Sequence, residues 1–241
     1  MKTLHYIGLI LLVLVLSSWN LKKELKGSGN SLKEQRETAS FEGIEVNNAI
    51  HVFLSQGNEE SVEVEADDNI LPYIQTKVRD RILHITLKGD DQIRNFSPKL
   101  PMNVYVTIKK LLEIKAHAAS SVEGKSVFKT EKLEIDVRSA ATLELEIESG
   151  TVELDVSSAA NVTLTGVANK IKADLSGASR WDGSELETLK TDIDMSGASS
   201  ARIKVKDELQ YDVSGASRLV YTGDPRIYNA EVSGAGSVKK K

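Results

Sequence analysis

The sequence predicts an all-β protein that folds as a right-handed parallel β-helix of about seven 19-residue coils, preceded by a β-rich cap. Three observations predict this fold: a motif that recurs at nearly constant spacing, apolar residues that alternate with polar ones within each copy, and the absence of proline between Pro101 and Pro225. Without proline, every backbone N–H of that stretch can join a ladder of hydrogen bonds.

The repeated motif is a strand, then a run of small residues, then a further apolar residue. It occurs seven times within residues 111–238, at intervals of 18 to 21 residues. The residues that lead the copies are Lys115, Asp136, Asp155, Asp174, Asp194, Asp212 and Glu231. A repeat of this length and regularity is typical of a solenoid.

The alternation within each copy has a period of two, as in Leu133, Ile135 and Val137 with polar residues between them. This period is that of a strand with one buried face, and the three- and four-residue spacing of a helix is missing. Nineteen residues make a contour of roughly 60 Å, which is enough for one coil of two or three strands. We expect right-handed coiling because parallel crossovers are almost always right-handed.

Small residues mark one corner of each coil. We expect small volume, rather than a left-handed backbone, to be the requirement, since early copies have Ser or Ala where later copies have Gly. On this interpretation Ala178→Leu overpacks the corner and costs about 1–3 kcal/mol. The predicted corner residues are Ala119, Ala140, Ala159, Ala178, Ala198, Ala216 and Ala235, with Gly177, Gly197, Gly215 and Gly234.

The chain divides into five predicted segments: a signal peptide at 1–17, a polar linker at 18–39, a β-rich N-terminal part of the head domain at 40–110, the β-helix repeats at 111–238, and a charged tail at 239–241. The apolar run of residues 7–16 is short for a bilayer span and suits a signal peptide; an uncleaved anchor is the alternative. Within the β-rich part, residues 46–50 form a candidate degenerate corner.

Composition excludes several classes of function. The chain has no cysteine, which excludes disulfides, thiolate metal sites and a cysteine nucleophile. Trp19 stands where a lipoprotein signal would carry its lipidated cysteine, so we expect no lipid anchor. The formal net charge of −4 argues against binding to nucleic acid.

The leading aspartates should stack along one outer face. Either they form a solvated acidic strip, or Asp136, Asp155, Asp174, Asp194 and Asp212 bind calcium weakly between coils. The calcium-binding nonapeptide repeat is absent. We therefore expect neither a metal nor any other cofactor.

We expect no catalysis. Residues 202–204 match a short polygalacturonase motif, but they are better explained as two outward charges around an inward Ile203. The carboxylate pairs at 67–68 and 90–91 suit turns, and none of the histidines has a metal-ligand spacing. Trp181 occupies an apolar repeat position, which favours the core over an exposed platform that stacks on a sugar.

Several of these segments together resemble a known family. They are the leader, the tether at 27–30, the Phe41–Val46 start, residues 66–71, the Ser-Gly-Ala-Ser corners and the Val220–Pro225 approach to the last corner. The chain resembles the putative auto-transporter adhesin head GIN domain over roughly residues 40–238. That family is common in exported proteins of Bacteroidetes. The resemblance implies a right-handed β-helix outside the cytoplasm.

The function that follows is a non-enzymatic, exported binding module of the cell envelope or surface, with an unidentified glycan or protein as its partner. Its expected location is the periplasm, the outer membrane or the cell surface. Two alternatives stay open at this point: a periplasmic structural or envelope-stress scaffold, and a β-helical enzyme that degrades polysaccharide.

Overall fold

The structure is a computed structural model that describes residues 23–241. Its nine N-terminal strands are β1 Lys23–Lys26, β2 Ser31–Gln35, β3 Gly43–Val46, β4 His51–Gln56, β5 Ser61–Asp67, β6 Ile74–Arg79, β7 Ile82–Leu87, β8 Ile93–Ser97 and β9 Asn103–Ile108. A single 3₁₀ turn, Leu71–Tyr73, lies between β5 and β6. The remaining strands are β10 Glu113–Ala116, β11 Ser121–Val137, β12 Thr142–Val156, β13 Asn161–Leu175, β14 Arg180–Met195, β15 Ser200–Val213, β16 Arg218–Thr222, β17 Arg226–Val232 and β18 Ser237–Lys240.

The predicted parallel β-helix is confirmed. Each long strand from β11 to β15 follows a corner, bends, and ends at the next corner, so one strand contributes to two faces of the solenoid. We call the segments before the corners the leading face and those after them the trailing face. The leading face has the strand order β6-β7-β3-β10-β11-β12-β13-β14-β15-β17, and the trailing face has β2-β5-β9-β4-β11-β12-β13-β14-β15-β16-β18. The right-handed sense of the coil stays a prediction.

The core lies between the two faces and follows from the alternation. Successive rungs put apolar residues in register, for example Val122, Leu143, Val162, Trp181, Ala201 and Leu219 on the trailing face. All six are buried. Trp181 and Ala201 are register partners, so the largest side chain of this column lies beside the smallest. Close packing of a narrow core requires this kind of volume complementarity.

The corners are left-handed turns, which overturns our volume explanation for them. The first corner residue has positive φ in all seven copies, from Ala118 (φ 53°) to Gly234 (φ 65°). The predicted alanine column, Ala178 among it, is exposed to solvent. The residues that are packed are the next ones along the chain: Ser120, Ala141, Ala160, Ser179, Ser199 and Ser217, which are at most 2% exposed. The expected overpacking by Ala178→Leu is therefore wrong for that position and applies to the next residue, Ser179.

An eighth corner precedes the repeats. Asn48 and Ala49 have φ values of 67° and 53°, and the Ala49 N–H donates to the Ala118 carbonyl at 3.0 Å. Strands β3 and β4 flank this corner and pair with β10 and β11. The interpretation of residues 46–50 as a degenerate corner is thus confirmed, and the solenoid begins one coil earlier than its regular period.

The N-terminal end is closed by strands that our linker prediction did not foresee. β1 pairs with β8, and β2 pairs antiparallel with β5, so residues 23–35 belong to the folded cap. Asp67 holds this arrangement: it accepts N–H bonds from Gly29 (2.6 Å), Lys99 (3.0 Å) and Leu100 (3.0 Å). Burial alone raises the pKa of Asp67, but these donors outweigh it and lower the pKa. Backbone hydrogen bonds order these strands, together with Leu25, which packs against the core. A single apolar contact makes no hydrophobic pattern in the sequence.

The other end of the solenoid is less covered. Ile227 and Val232 stand opposite Leu209 and Val213, at inward positions of the last rung. They are 40% and 50% exposed, because no later strand of the described residues lies over them. The predicted charged tail is partly in β18, where Lys240 forms an ion pair with Asp224 at 2.6 Å.

Candidate functional site

The acidic column predicted from the repeat lies on the leading face. Asp136, Asp155, Asp174, Asp194 and Asp212 are successive register partners, and Glu231 continues the column on β17. A shallow depression of about 510 Å³ lies at its N-terminal half, lined by side chains that include Glu134, Asp136, Glu153, Asp155 and Asp174. Neighbouring rungs place these carboxylates one strand spacing apart, about 4.8 Å.

Partial burial and the repulsion between neighbouring carboxylates change the pKa of two members of the column. Partial burial, together with repulsion from Asp136 and Asp174, raises the pKa of Asp155. Partial burial, together with repulsion from Asp192, Asp174 and Asp212, raises the pKa of Asp194. At the N-terminal end, Arg138 forms an ion pair with Asp136. Within the column, the ionised carboxylate is thus disfavoured at Asp155 and Asp194.

Asp155→Asn is therefore expected to raise the melting temperature at pH 7. Because the folded-state pKa is raised, the folded chain holds its proton more tightly than the unfolded chain. Stability then falls as the pH rises from the unfolded pKa to the folded one, and it stays reduced above that range. The gain from the substitution should therefore disappear near pH 3, where the aspartate is protonated in both states. Thermal melts at both pH values measure it.

Asp136→Asn is the matched control, since it removes the partner of Arg138 as well as a charge of the column. We expect no gain in its melting temperature. A gain for Asp155→Asn that is as large at pH 3 as at pH 7 would rule out charge repulsion as the cause.

Calcium binding gains no support from the geometry. Within residues 23–241 there is no group of three or more His, Cys, Asp or Glu side chains that could hold a metal ion. The column offers one carboxylate per rung in a straight line, whereas Ca²⁺ requires six to eight oxygen ligands around one point. The expectation that no metal binds stays a prediction, and the response of the melting temperature to millimolar Ca²⁺ tests it.

The residues considered for catalysis are dispersed. Arg202 and Lys204 point outward on either side of the buried Ile203 and form ion pairs with Asp182 (3.2 Å) and Glu187 (3.3 Å). These pairings are the ones expected of structural surface charges. Of the other candidates, Asp67 binds backbone in the cap, and Asp90 accepts two backbone N–H bonds at 2.8 Å in a turn.

Trp181 is a core residue. Its side chain is 1% exposed, and a Cβ on Gly183 would approach its ring to 3.0 Å. The alternative of a sugar stacked on Trp181 is therefore wrong.

A cluster that sequence reasoning missed lies on the outer side of the trailing face. Phe53 and Tyr105 are register partners on β4 and β9, and their rings stack with centroids 5.2 Å apart. Lys33 lies 4.6 Å from the centroid of the Tyr105 ring and Lys125 lies 4.9 Å from that of Phe53. The strand order puts these lysines on opposite sides of the pair, so both outer ring faces are covered. The cluster joins four strands by stacking and cation–π contacts.

A second feature that was missed is a basic patch on the C-terminal half of the trailing face. Arg180, Ser200 and Arg218 are in register on successive rungs, with Arg202 and Lys239 in the adjacent column. A depression of about 580 Å³ lies between Arg180, Arg202 and Arg218. Within the part of the chain that the structure describes, neither Arg180 nor Arg218 forms an ion pair. The C-terminal half of the trailing face thus carries a basic patch across the corners from the acidic column of the leading face.

The sequence was compared with known families and proteins. The family described as "Putative auto-transporter adhesin, head GIN domain" matches residues 40–225. No curated protein sequence matches the chain. The structure describes no helix that is both long and apolar enough to cross a membrane.

Several solved structures share the fold. A putative adhesin from Bacteroides fragilis superposes with a TM-score of 0.83 at 18% identity, covering 90% of this chain and all of that one. A putative adhesin from Parabacteroides distasonis gives 0.73 at 20% identity, with 91% of this chain and 100% of that one covered. A protein from the same species described as a putative lipid binding protein gives 0.72 at 16% identity, with 91% and 100% covered. At these identities the likeness establishes the fold.

Proposed function

The chain belongs to the family of putative auto-transporter adhesin head GIN domains, and from this premise we propose that it is a non-enzymatic binding module exported to the cell surface. The observation that carries the proposal is the family match over residues 40–225, on a β-helix with an acidic column on its leading face and a basic patch on the C-terminal half of its trailing face. A stiff solenoid of this kind presents long, flat surfaces on which a polymeric ligand can make many weak contacts.

Export to the surface rests on the leader predicted at residues 1–17, which lies outside the described residues. Protease treatment of intact cells tests it. Because a stacked β-helix can resist proteolysis, we would insert a recognition sequence for a specific protease between Asn58 and Glu59, an exposed loop between β4 and β5. Cleavage is then detected with an antibody to the C-terminal repeats.

Cleavage without lysis supports surface exposure. Cleavage only after the outer membrane has been opened contradicts it and favours the alternative, a periplasmic scaffold. The same insertion in purified protein is the control, since it must be cut under native conditions for protection in cells to be informative. A periplasmic marker protein checks that the cells stay intact.

The absence of catalysis is part of the same proposal. Turnover of pectin or another uronate polymer by the purified protein would contradict it and would favour the alternative of a polysaccharide-degrading enzyme.

A further inference from the structure

The corners exchange hydrogen bonds between rungs, and in the N-terminal half these bonds point one way. The N–H of the second corner residue donates to the carbonyl of the first corner residue of the following rung: Ala119 to Ser139 at 2.9 Å, and Ala140 to Ser158 at 3.1 Å. In these corners both residues have positive φ, as in Ser158 (54°) and Ala159 (65°). This is the pattern of a type I′ turn.

In the C-terminal half the bonds point the opposite way. The N–H of the second residue donates to the preceding rung, as from Ala198 to the Gly177 carbonyl and from Ala216 to the Gly197 carbonyl, both at 2.7 Å. Here only the first corner residue, a glycine, has positive φ. This is the pattern of a type II′ turn, which calls for glycine at that position. The two turn types differ by a flip of the central peptide, so the direction of the bond reverses.

The reversal falls between Ala159 and Ala178. The Ser158 carbonyl accepts a hydrogen bond from Ala140, so it points to the preceding rung. In a trans peptide the N–H points opposite to the carbonyl, so the Ala159 N–H points to the following rung. The Gly177 carbonyl accepts from Ala198 in the rung after it, so the Ala178 N–H points back. The two N–H groups therefore converge, and neither has an acceptor within residues 23–241.

The separation suits a shared acceptor. Adjacent rungs lie about 4.8 Å apart, so an oxygen displaced about 1.6 Å from the line between the two nitrogens would lie about 2.9 Å from each. Both corner alanines are exposed, so this position is open to solvent. Converging backbone N–H groups of this kind bind anions. Arg180 follows Ala178 by two residues along the chain and forms no ion pair among the described residues.

We propose that the Ala159–Ala178 junction and Arg180 bind a negatively charged group, a sulfate or a carboxylate, of an acidic glycan. This deepens the proposed function, on which it rests for the identity of the ligand. From Arg180 the depression over Ser200 leads to Arg218, where a second anionic group of a linear chain can bind. Its side chains include no exposed large apolar residue that would insert into a membrane.

The acidic column on the leading face is expected to weaken anion binding at this site. Asp155 and Asp174 each stand three residues before the first residue of a junction corner, and their charges weaken the binding of any anion nearby. Physiological salt reduces this repulsion without abolishing it, because exposed charges are largely screened only beyond a Debye length of about 8 Å. Removing one of these carboxylates should therefore strengthen binding, as removing Arg180 should weaken it.

The test is a titration of the ¹⁵N-labelled full chain with sodium sulfate at constant ionic strength, followed by amide NMR. We expect saturable shifts at the Ala159 and Ala178 amides, whereas the Ala140 and Ala216 amides, which have acceptors, stay unchanged. Arg180→Ala should weaken the apparent affinity several-fold, and Asp174→Asn should strengthen it. Unmoved Ala159 and Ala178 amides, or equal affinity in all three proteins, would overturn the site.

The ligand class is tested in parallel with a sulfated oligosaccharide, a polyuronate oligomer and vesicles that contain anionic lipid. Tighter binding of either glycan than of free sulfate, reduced by Arg180→Ala and by Arg218→Ala, supports the proposal. Preference for the vesicles overturns the glycan assignment. Surface exposure with no anion binding refutes this inference alone, whereas sulfate binding by a protein protected in intact cells refutes the proposed function and leaves the anion site standing.

Discussion

Gly215→Ala is expected to lower the free energy of unfolding by roughly 2–4 kcal/mol, because it combines backbone strain with a steric clash. Gly215 has a φ of 67°, and a Cβ at this position would lie 2.4 Å from the Gly197 carbonyl oxygen of the preceding rung. That oxygen accepts the 2.7 Å bond from Ala216, so it cannot move away without breaking the corner ladder. Thermal and urea unfolding of the purified domain measure the loss.

Gly177→Ala is the matched control. It has the same turn position and a φ of 69°, but its added Cβ would come no closer than 3.1 Å, to the Ser158 nitrogen. At the Ala159–Ala178 junction the preceding rung directs an N–H toward Gly177, whereas its carbonyl points away. We expect a clearly smaller loss than for Gly215→Ala. Equal losses in the two variants would show that φ alone matters and that the contact between rungs does not.

Ala160→Leu is expected to destabilise the solenoid by about 1–3 kcal/mol through overpacking. Ala160 is fully buried at the inner side of its corner, in register with Ala141 before it and Ser179 after it. In the seven repeats every member of this column is small: Ser120, Ala141, Ala160, Ser179, Ser199, Ser217 and Gly236. Only the first corner, before the repeats, has a large residue here, Ile50. A leucine would have to displace the backbone of adjacent rungs, and the midpoint of thermal unfolding would fall.

Ala159→Leu, one residue earlier, is the control. The side chain of Ala159 is exposed, and its φ of 65° is equally strained for alanine and leucine. We therefore expect a change of less than about 0.5 kcal/mol, as for an ordinary surface substitution. A loss of stability as large as that of Ala160→Leu would show that the outer alanine column, and not only the buried one, is closely packed.

The regular part of the fold could be predicted because its contacts are periodic. Once the copies are aligned at about 19 residues, Asp155 must stand beside Asp136 and Asp174, and Trp181 must stand in an apolar column. Strand alternation decides which of these side chains point inward. The acidic column and the burial of Trp181 therefore follow from counting along the chain.

The cap could not be predicted in this way. Residues 23–35 join the fold through backbone hydrogen bonds and through the buried carboxylate of Asp67, about forty residues away along the chain. Phe53 and Tyr105 meet only because β4 and β9 are neighbours across a long excursion of the chain. Contacts of this kind leave no local pattern, so a polar segment that is ordered looks the same in sequence as one that is not.

By itself, then, the sequence determined the coil, its period, the inward and outward faces and the position of each corner, since all of these depend on local alternation and repetition. Only the tertiary structure decided how each corner turns. The change from Ser158 to Gly177 is visible in the sequence, but its consequence is a flipped peptide, and the direction of a peptide is set by the carbonyl or N–H that the adjacent rung presents. The reversal of the corner ladder, and the two N–H groups that it leaves facing each other, exist only once the rungs are stacked.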